Sequence, residues 1–214
     1  MLKKIIAEFI GTSFLLMVIV GSGIMGESLS SDEGLILLFN TIATGAGLIV
    51  LIWIFEPFSG AHFNPSVTLL FLMKKQINII ESIYFISAQV TGAIAGVILA
   101  NLMFDLPSIE ISEKVRSGTH IYLSELIATF GLLLTISIIS VKNYKAIAPS
   151  VGLYITAAYW FTSSTSFANP VVSLARSFTN TFTGICPDNI IYFIAMQIIA
   201  VPIVFFISEL LLKE

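Results

Sequence analysis

Apolar residues fall in long blocks along this chain, and six of the blocks are long enough to cross a bilayer: 5–24, 36–55, 80–103, 121–141, 146–165 and 189–212. Each holds about twenty residues, and at about 1.5 Å of rise per residue that covers a hydrocarbon core of about 30 Å. Polar turn formers separate them, as in Gly26-Glu27-Ser28 with Ser30-Ser31-Asp32, Asp105-Leu106-Pro107-Ser108 and Lys142-Asn143-Tyr144-Lys145. Glu56-Pro57 closes the second block, which is expected to end there because proline removes a backbone donor. Two further apolar runs, Val67–Met73 and Val171–Phe178, are too short to span. The run that follows Lys3-Lys4 continues to Ile24 without a small-x-small cleavage site, so it reads as a retained first helix.

Composition agrees with the pattern. Hydrophobic residues are 57% of the 214 and charged residues 11%, where a soluble domain carries roughly a quarter charged. The chain is therefore expected to be an all-α integral membrane protein, with the lipid bilayer as its first partner. A net charge of −3 leaves no basic footprint for nucleic acid. One cysteine, Cys186, excludes an internal disulfide, and two distant histidines, His62 and His120, make a histidine metal site unexpected. No metal and no cofactor is expected. In a six-span layout Lys3, Lys4, Lys74, Lys75, Lys142, Lys145 and Lys213 fall on one side, against Lys114, Arg116 and Arg176 on the other. This bias places both termini in the cytoplasm of a multi-pass protein of the cell membrane.

The chain also repeats itself. Asn64-Pro65-Ser66-Val67-Thr68-Leu69 returns as Asn169-Pro170-Val171-Val172-Ser173-Leu174, 105 residues later. Ala7-Glu8-Phe9-Ile10-Gly11-Thr12 is echoed by Ser124-Glu125-Leu126-Ile127-Ala128-Thr129, and Gln89 by Gln197. Three spans per half give the halves opposite orientation, so the reading is one channel domain over 1–214. It is an inverted 3+3 repeat with halves 1–105 and 120–214. Proline after asparagine suits a first helical turn with the asparagine as N-cap. The two short runs thus become re-entrant half-helices whose N-termini meet near the midplane, where irregular backbone is tolerated only if it lines a cavity or is enclosed by protein. Each N-terminus carries about half a positive charge. Together with the asparagine amides, the pair favours neutral polar solutes and opposes cations and protons.

The stretch Ser59-Gly60-Ala61-His62-Phe63-Asn64-Pro65-Ser66-Val67-Thr68-Leu69, with Ala7–Thr12 and Ala88-Gln89-Val90-Thr91-Gly92-Ala93, resembles the aquaporin (major intrinsic protein) superfamily over essentially the whole chain. The resemblance implies six transmembrane helices plus two half-helices, and a homotetramer with a pore in each subunit. It also implies passive conduction of water and small neutral solutes such as glycerol, urea or neutral metalloid acids. The pore motif is carried over to Asn64, Pro65, Ser66, Asn169, Pro170 and Val171. Ser66 and Val171 stand where the family usually has alanine. The filter arginine that normally follows the second motif is replaced by Val172, and the nearest arginine is Arg176. By spacing, the other filter positions fall on Thr44, Ala157 and Ser166. Small or apolar residues there imply a wider filter than that of a strict water channel. The run Tyr154–Pro170 resembles a bacterial branch linked to metalloid permeation. Arg176 lies one turn beyond Val172, and its stem is expected to reach back over Val172 at the outer mouth.

Other readings bound this one. Glu8 and Glu125, carboxylates within spans, suggest a proton relay or acceptors for the backbone of the re-entrant loops; their symmetric placement favours the second. His62 is a candidate pore liner or loop support. Glycines such as Gly92, Gly96 and Gly152 suit close helix packing, and Cys186 is expected to be a bystander. A secondary transporter using Glu8 and Glu125, or a non-conducting adhesion protein on the same fold, are the alternatives. Nothing in the sequence pairs a nucleophile with a base, so no enzyme is expected.

Overall fold

The computed structural model describes residues 1–213. Among them are eight α-helices and no strand: α1 (Leu2–Leu29), α2 (Glu33–Ser59), α3 (Pro65–Met73), α4 (Ile79–Met103), α5 (Thr119–Lys142), α6 (Ile147–Phe161), α7 (Pro170–Ala175) and α8 (Pro187–Leu212). Short 3-10 turns precede α6 at Tyr144–Ala146 and follow α7 at Arg176–Phe178. Helices α1, α2, α4, α5 and α8 are each long and apolar enough to cross a membrane. Helix α6 has 15 residues, about 22 Å of helix, and the 3-10 turn in front of it adds reach. It stops at Phe161, short of the expected 165, because the following segment unwinds to enter the interior.

The start of α1, the end of α8 and the loops 74–78 and 143–146 gather at one end of the bundle, the proximal end. Lys4 Nζ there lies 2.6 Å from Glu81 Oε1, tying the starts of α1 and α4. Segments 30–32, 104–118 and 179–186 form the distal end. Side chains are small where helices press together: a Cβ at Gly92 or Gly96 would overlap the carbonyls of Phe9 or Ser13 on α1. Gly45 of α2 and Gly152 of α6 face each other in the same way. Close backbone approach of this kind supplies packing that lipid, as apolar as the helices, cannot drive.

Helix α2 departs from expectation. It continues through Pro57 to Ser59 and stops at Gly60, whose φ of +86° closes it in the left-handed region. A proline in the final turn forfeits only one bond, whereas the left-handed glycine ends the ladder outright.

After α2 and after α6 the chain dives into the bundle, and α3 and α7 then return to the surface they came from. Each dive has non-glycine residues at positive φ in matched places: Ala61 (52°) and Phe63 (51°) before Asn64, Ser166 (50°) and Ala168 (50°) before Asn169. Such conformations cost about 1–2 kcal/mol each and leave backbone N–H groups turned outward. Glu8 meets this need on the first side. Its Oε1 accepts from Ser59 Oγ (2.6 Å) and His62 N (2.9 Å), and its Oε2 from Phe63 N (2.8 Å) and Gln89 Nε2 (2.8 Å). Glu125 does the same on the second: Oε1 accepts from Phe167 N (2.9 Å), Oε2 from Ala168 N (2.9 Å) and Gln197 Nε2 (2.7 Å). Both glutamates are fully buried, and every contact uses them as acceptors.

Two predictions follow from this packing. Glu125→Gln leaves one acceptor oxygen where two are used and turns an N–H toward a backbone N–H, so it is expected to cost about 2–3 kcal/mol. The melting temperature in detergent reads the loss; an unchanged value rejects the role. Gly96→Val forces α1 and α4 apart and should cost about 1–3 kcal/mol by overpacking, read in the same melt.

Candidate functional site

The two half-helices start head to head. Asn64 Oδ1 caps α3 by accepting from Ser66 N at 2.8 Å, and Asn169 Oδ1 caps α7 by accepting from Val171 N at 3.1 Å. The amide nitrogens cross: Asn64 Nδ2 donates to Ala168 O (2.7 Å) and Asn169 Nδ2 donates to Phe63 O (2.8 Å). Each side chain thus fastens its own helix and the opposite loop. Each NH₂ has two hydrogens, so one per asparagine is left for the cavity both residues line.

That cavity runs from Glu56 and Tyr144 at the proximal end to Thr44, Tyr159 and Arg176 toward the distal end. One wall is aliphatic, built from Leu15, Ile19, Leu48, Ile52, Leu132, Ile136, Val151 and Ile155 of α1, α2, α5 and α6. The other is the polar backbone of the two dives, Gly60–Asn64 and Ser166–Asn169. A solute passing here meets hydrogen-bonding groups along one side and hydrocarbon along the rest. Pro65 and Pro170 open the half-helices, and Ser66 and Val171 turn away from the cavity. Ser66 Oγ donates to Gln197 O on α8 at 3.3 Å, and Val171 is packed in the core.

His62 lines the cavity, wedged against the rings of Phe71 (4.6 Å between centroids) and Phe85 (5.2 Å). Its Nδ1 lies 3.1 Å from Thr68 Oγ1, which also accepts from Gln89 Nε2 at 3.0 Å. Among the described residues Thr68 Oγ1 has no other hydrogen-bond partner. In the second half Ser173 Oγ takes the place of Thr68, accepting from Gln197 Nε2 at 2.8 Å and donating to Asn169 O at 3.2 Å.

Thr44, Ser166, Val172 and Arg176 all border the distal part of the cavity. Ala157 does not. It is exposed on the far face of α6, and the wall position belongs to Tyr159, whose hydroxyl donates to Thr44 Oγ1 at 3.4 Å. Two helical residues turn the side chain by about 200°, so spacing alone misplaced it, and the cavity wall gains a phenol on that side. Ser166 Oγ is buried without a protein partner among the described residues. Arg176 is 2% exposed, and its guanidinium is seated over the Phe167 ring, 3.5 Å from its centroid. Its Nε donates to Thr183 O.

Arg116 and Lys114, not singled out as site residues by sequence, converge on the same strand of chain. Arg116 Nε donates to Gly184 O (2.8 Å) and Nη2 to Phe182 O (3.0 Å), and Lys114 Nζ also donates to Phe182 O (3.0 Å). Burial draws Arg116 down to about 10 and lowers Lys114 as well, where the neighbouring Arg116 adds to the effect. None of these three cations has a carboxylate within ion-pair distance among the described residues. No sequence motif signals their meeting, because loop 104–118 brings two of them in from far along the chain.

Comparison with known proteins fits this geometry. Residues 1–201 match the major intrinsic protein family. The chain is 51% identical over 198 residues to aquaglyceroporin AqpS of Rhizobium meliloti (strain 1021), covering 92% of this chain and 84% of that one. It is 29% identical to aquaporin A of Dictyostelium discoideum, covering 99% and 79%. The X-ray structure of the aquaglyceroporin from Plasmodium falciparum superposes with a TM-score of 0.75, covering 99% of this chain and 97% of that one at 22% identity, which speaks for the fold. The chain belongs to the major intrinsic protein family and is a membrane channel for water and small solutes.

Proposed function

We propose that this chain is a passive, comparatively wide pore for small uncharged solutes, passing glycerol, urea and neutral metalloid acids as well as water. The observation that carries the reading is the crossed asparagine lock inside a cavity with one polar and one aliphatic wall. Two half-helix N-termini face each other there, so a cation meets positive potential from both sides. Each asparagine offers one N–H to a passing oxygen. That pair of donors orients water at the middle of the pore and opposes proton relay along a file of water.

Width is argued from the distal constriction. Val172 stands where an arginine would fill the bore, and Arg176 is drawn aside onto Phe167 and Thr183. Thr44, Tyr159, Ser166, Val172 and Arg176 are the filter in this proposal, with Tyr159 replacing Ala157, and His62 presents its ring from the proximal side. The relative named an aquaglyceroporin supports a bore for polyols. The alternative of a coupled transporter loses its two candidate carboxylates, since Glu8 and Glu125 are occupied by loop amides and do not border the cavity. The pore is taken to be repeated in a homotetramer in the cell membrane. The halves 1–105 and 120–214 are its inverted repeats, and the lysine-rich proximal end lies in the cytoplasm.

Stopped-flow light scattering on proteoliposomes tests this with water, glycerol, urea and arsenous acid. Solute-driven reswelling far above that of empty liposomes is expected; flux no faster than empty liposomes for every solute rejects it. Val172→Arg should depress glycerol and arsenous acid by about tenfold relative to water, as expected for a pocket that loses a few methylenes of width. Tyr159→Ala should raise glycerol flux, while Ala157→Leu should leave the glycerol-to-water ratio unchanged.

A further inference from the structure

Arg176 is gripped twice by one short strap of chain. Its backbone carbonyl accepts from Ile185 N at 3.3 Å, and its Nε donates to Thr183 O. Its terminal nitrogens make no hydrogen bond to protein among the described residues, and they belong to a side chain that borders the cavity. Where the guanidinium sits in the bore therefore depends on where the strap holds the Thr183 carbonyl.

The strap is fixed from outside the pore. Asn101, near the distal end of α4, is 1% exposed and does not border the cavity. Its Oδ1 accepts from Thr179 Oγ1 at 2.9 Å, and its Nδ2 donates to Ser108 O (3.3 Å) and Phe178 O (3.2 Å). From Thr179 a row of hydroxyls continues, 3.2 Å to Thr181 and 3.3 Å to Thr183. An amide oxygen only accepts, so the row has one direction: Thr183 donates to Thr181, Thr181 to Thr179, and Thr179 to Asn101. The methyl of Thr183 fills the space over Gly23 of α1, where a Cβ would collide with it. Thr179 and Thr183 are both buried.

We propose that this hydroxyl row is a tether that sets the bore of the filter, with Asn101, Thr179 and Thr183 as positioning residues acting through Arg176. Drawn back by the Thr183 carbonyl, the guanidinium rests on Phe167 and leaves the space beside Val172 open. When the row is cut, the strap loosens and the arginine's free N–H groups turn toward the unpartnered Ser166 hydroxyl across the lumen. The opening then narrows for solutes larger than water. The inference rests on the proposed place of Arg176 in the filter.

The test uses three single variants and one double variant in proteoliposomes, with channel number per vesicle measured and the glycerol-to-water permeability ratio as readout. Thr179→Val keeps the shape but removes the hydroxyl, and Thr179→Ser keeps the hydroxyl. The ratio is expected to fall about threefold in Thr179→Val, the scale of one lost neutral hydrogen bond, and to stay at the wild-type value in Thr179→Ser. Arg176→Gln by itself should change the ratio, and adding Thr179→Val to it should change nothing more. A wild-type ratio in Thr179→Val, or water and glycerol lowered by the same factor, overturns the tether and leaves the filter role of Arg176 standing. An unchanged ratio in Arg176→Gln overturns both.

Discussion

Everything in the pore hangs on two carboxylates that never touch a solute. A chain that turns back at the middle of a membrane exposes backbone N–H groups where no water can take them, and each one left unpaired costs far more than it would at a surface. Glu8 and Glu125 take these groups in pairs, His62 with Phe63 and Phe167 with Ala168. Five non-glycine residues at positive φ lie in these two bends, and the carboxylates hold the amides that the bends turn outward. Burying a carboxylate is itself expensive, and the cost is offset only because its oxygens are filled by donors. Gln89 and Gln197 complete the sets and carry the same contact on to Thr68 and Ser173 of the half-helices.

With the loops fixed, the asparagines have one remaining choice of partner. Their oxygens are taken by the helix starts, so their nitrogens reach to the opposite loop and lock the two halves across the centre. The halves are alike at this level but differ around it. Thr68 has a histidine beside it, where Ser173 has only the carbonyl of Asn169. Beside the distal part of the cavity Lys114, Arg116 and Arg176 share the carbonyls of 182–184, with no carboxylate within ion-pair distance among the described residues. Symmetry builds the frame, and its breaking gives the two ends of the cavity different chemistry.

Much of this was legible in the order of residues. Six spans, two half-helices, the asparagine caps and the scaffolding role of the glutamates follow from apolar length, from proline after asparagine, and from a motif that returns after 105 residues. What went astray did so for local reasons. Pro57 does not stop α2, because the final turn of a helix has little left to lose there. Ala157 faces outward and Tyr159 inward, because helical facing changes by about 100° per residue and no motif pins the register of α6. Arg176 borders the cavity with its guanidinium on the Phe167 ring, a partner that only the folded loop supplies, and α7 gives way to a 3-10 turn at that residue.

The sequence by itself determined the topology and the place where the pore must close, since these depend on segment length, repetition and the backbone chemistry of asparagine and proline. The bore at the distal end was decided only in three dimensions. Arg116 and Arg176 stand 60 residues apart in the chain, and they meet at one strap whose position is fixed by Asn101 through a row of threonine hydroxyls. Hydrogen bonds between groups so distant leave no periodic trace along the chain, because each residue type is unremarkable until the fold brings its partner within 3 Å or so.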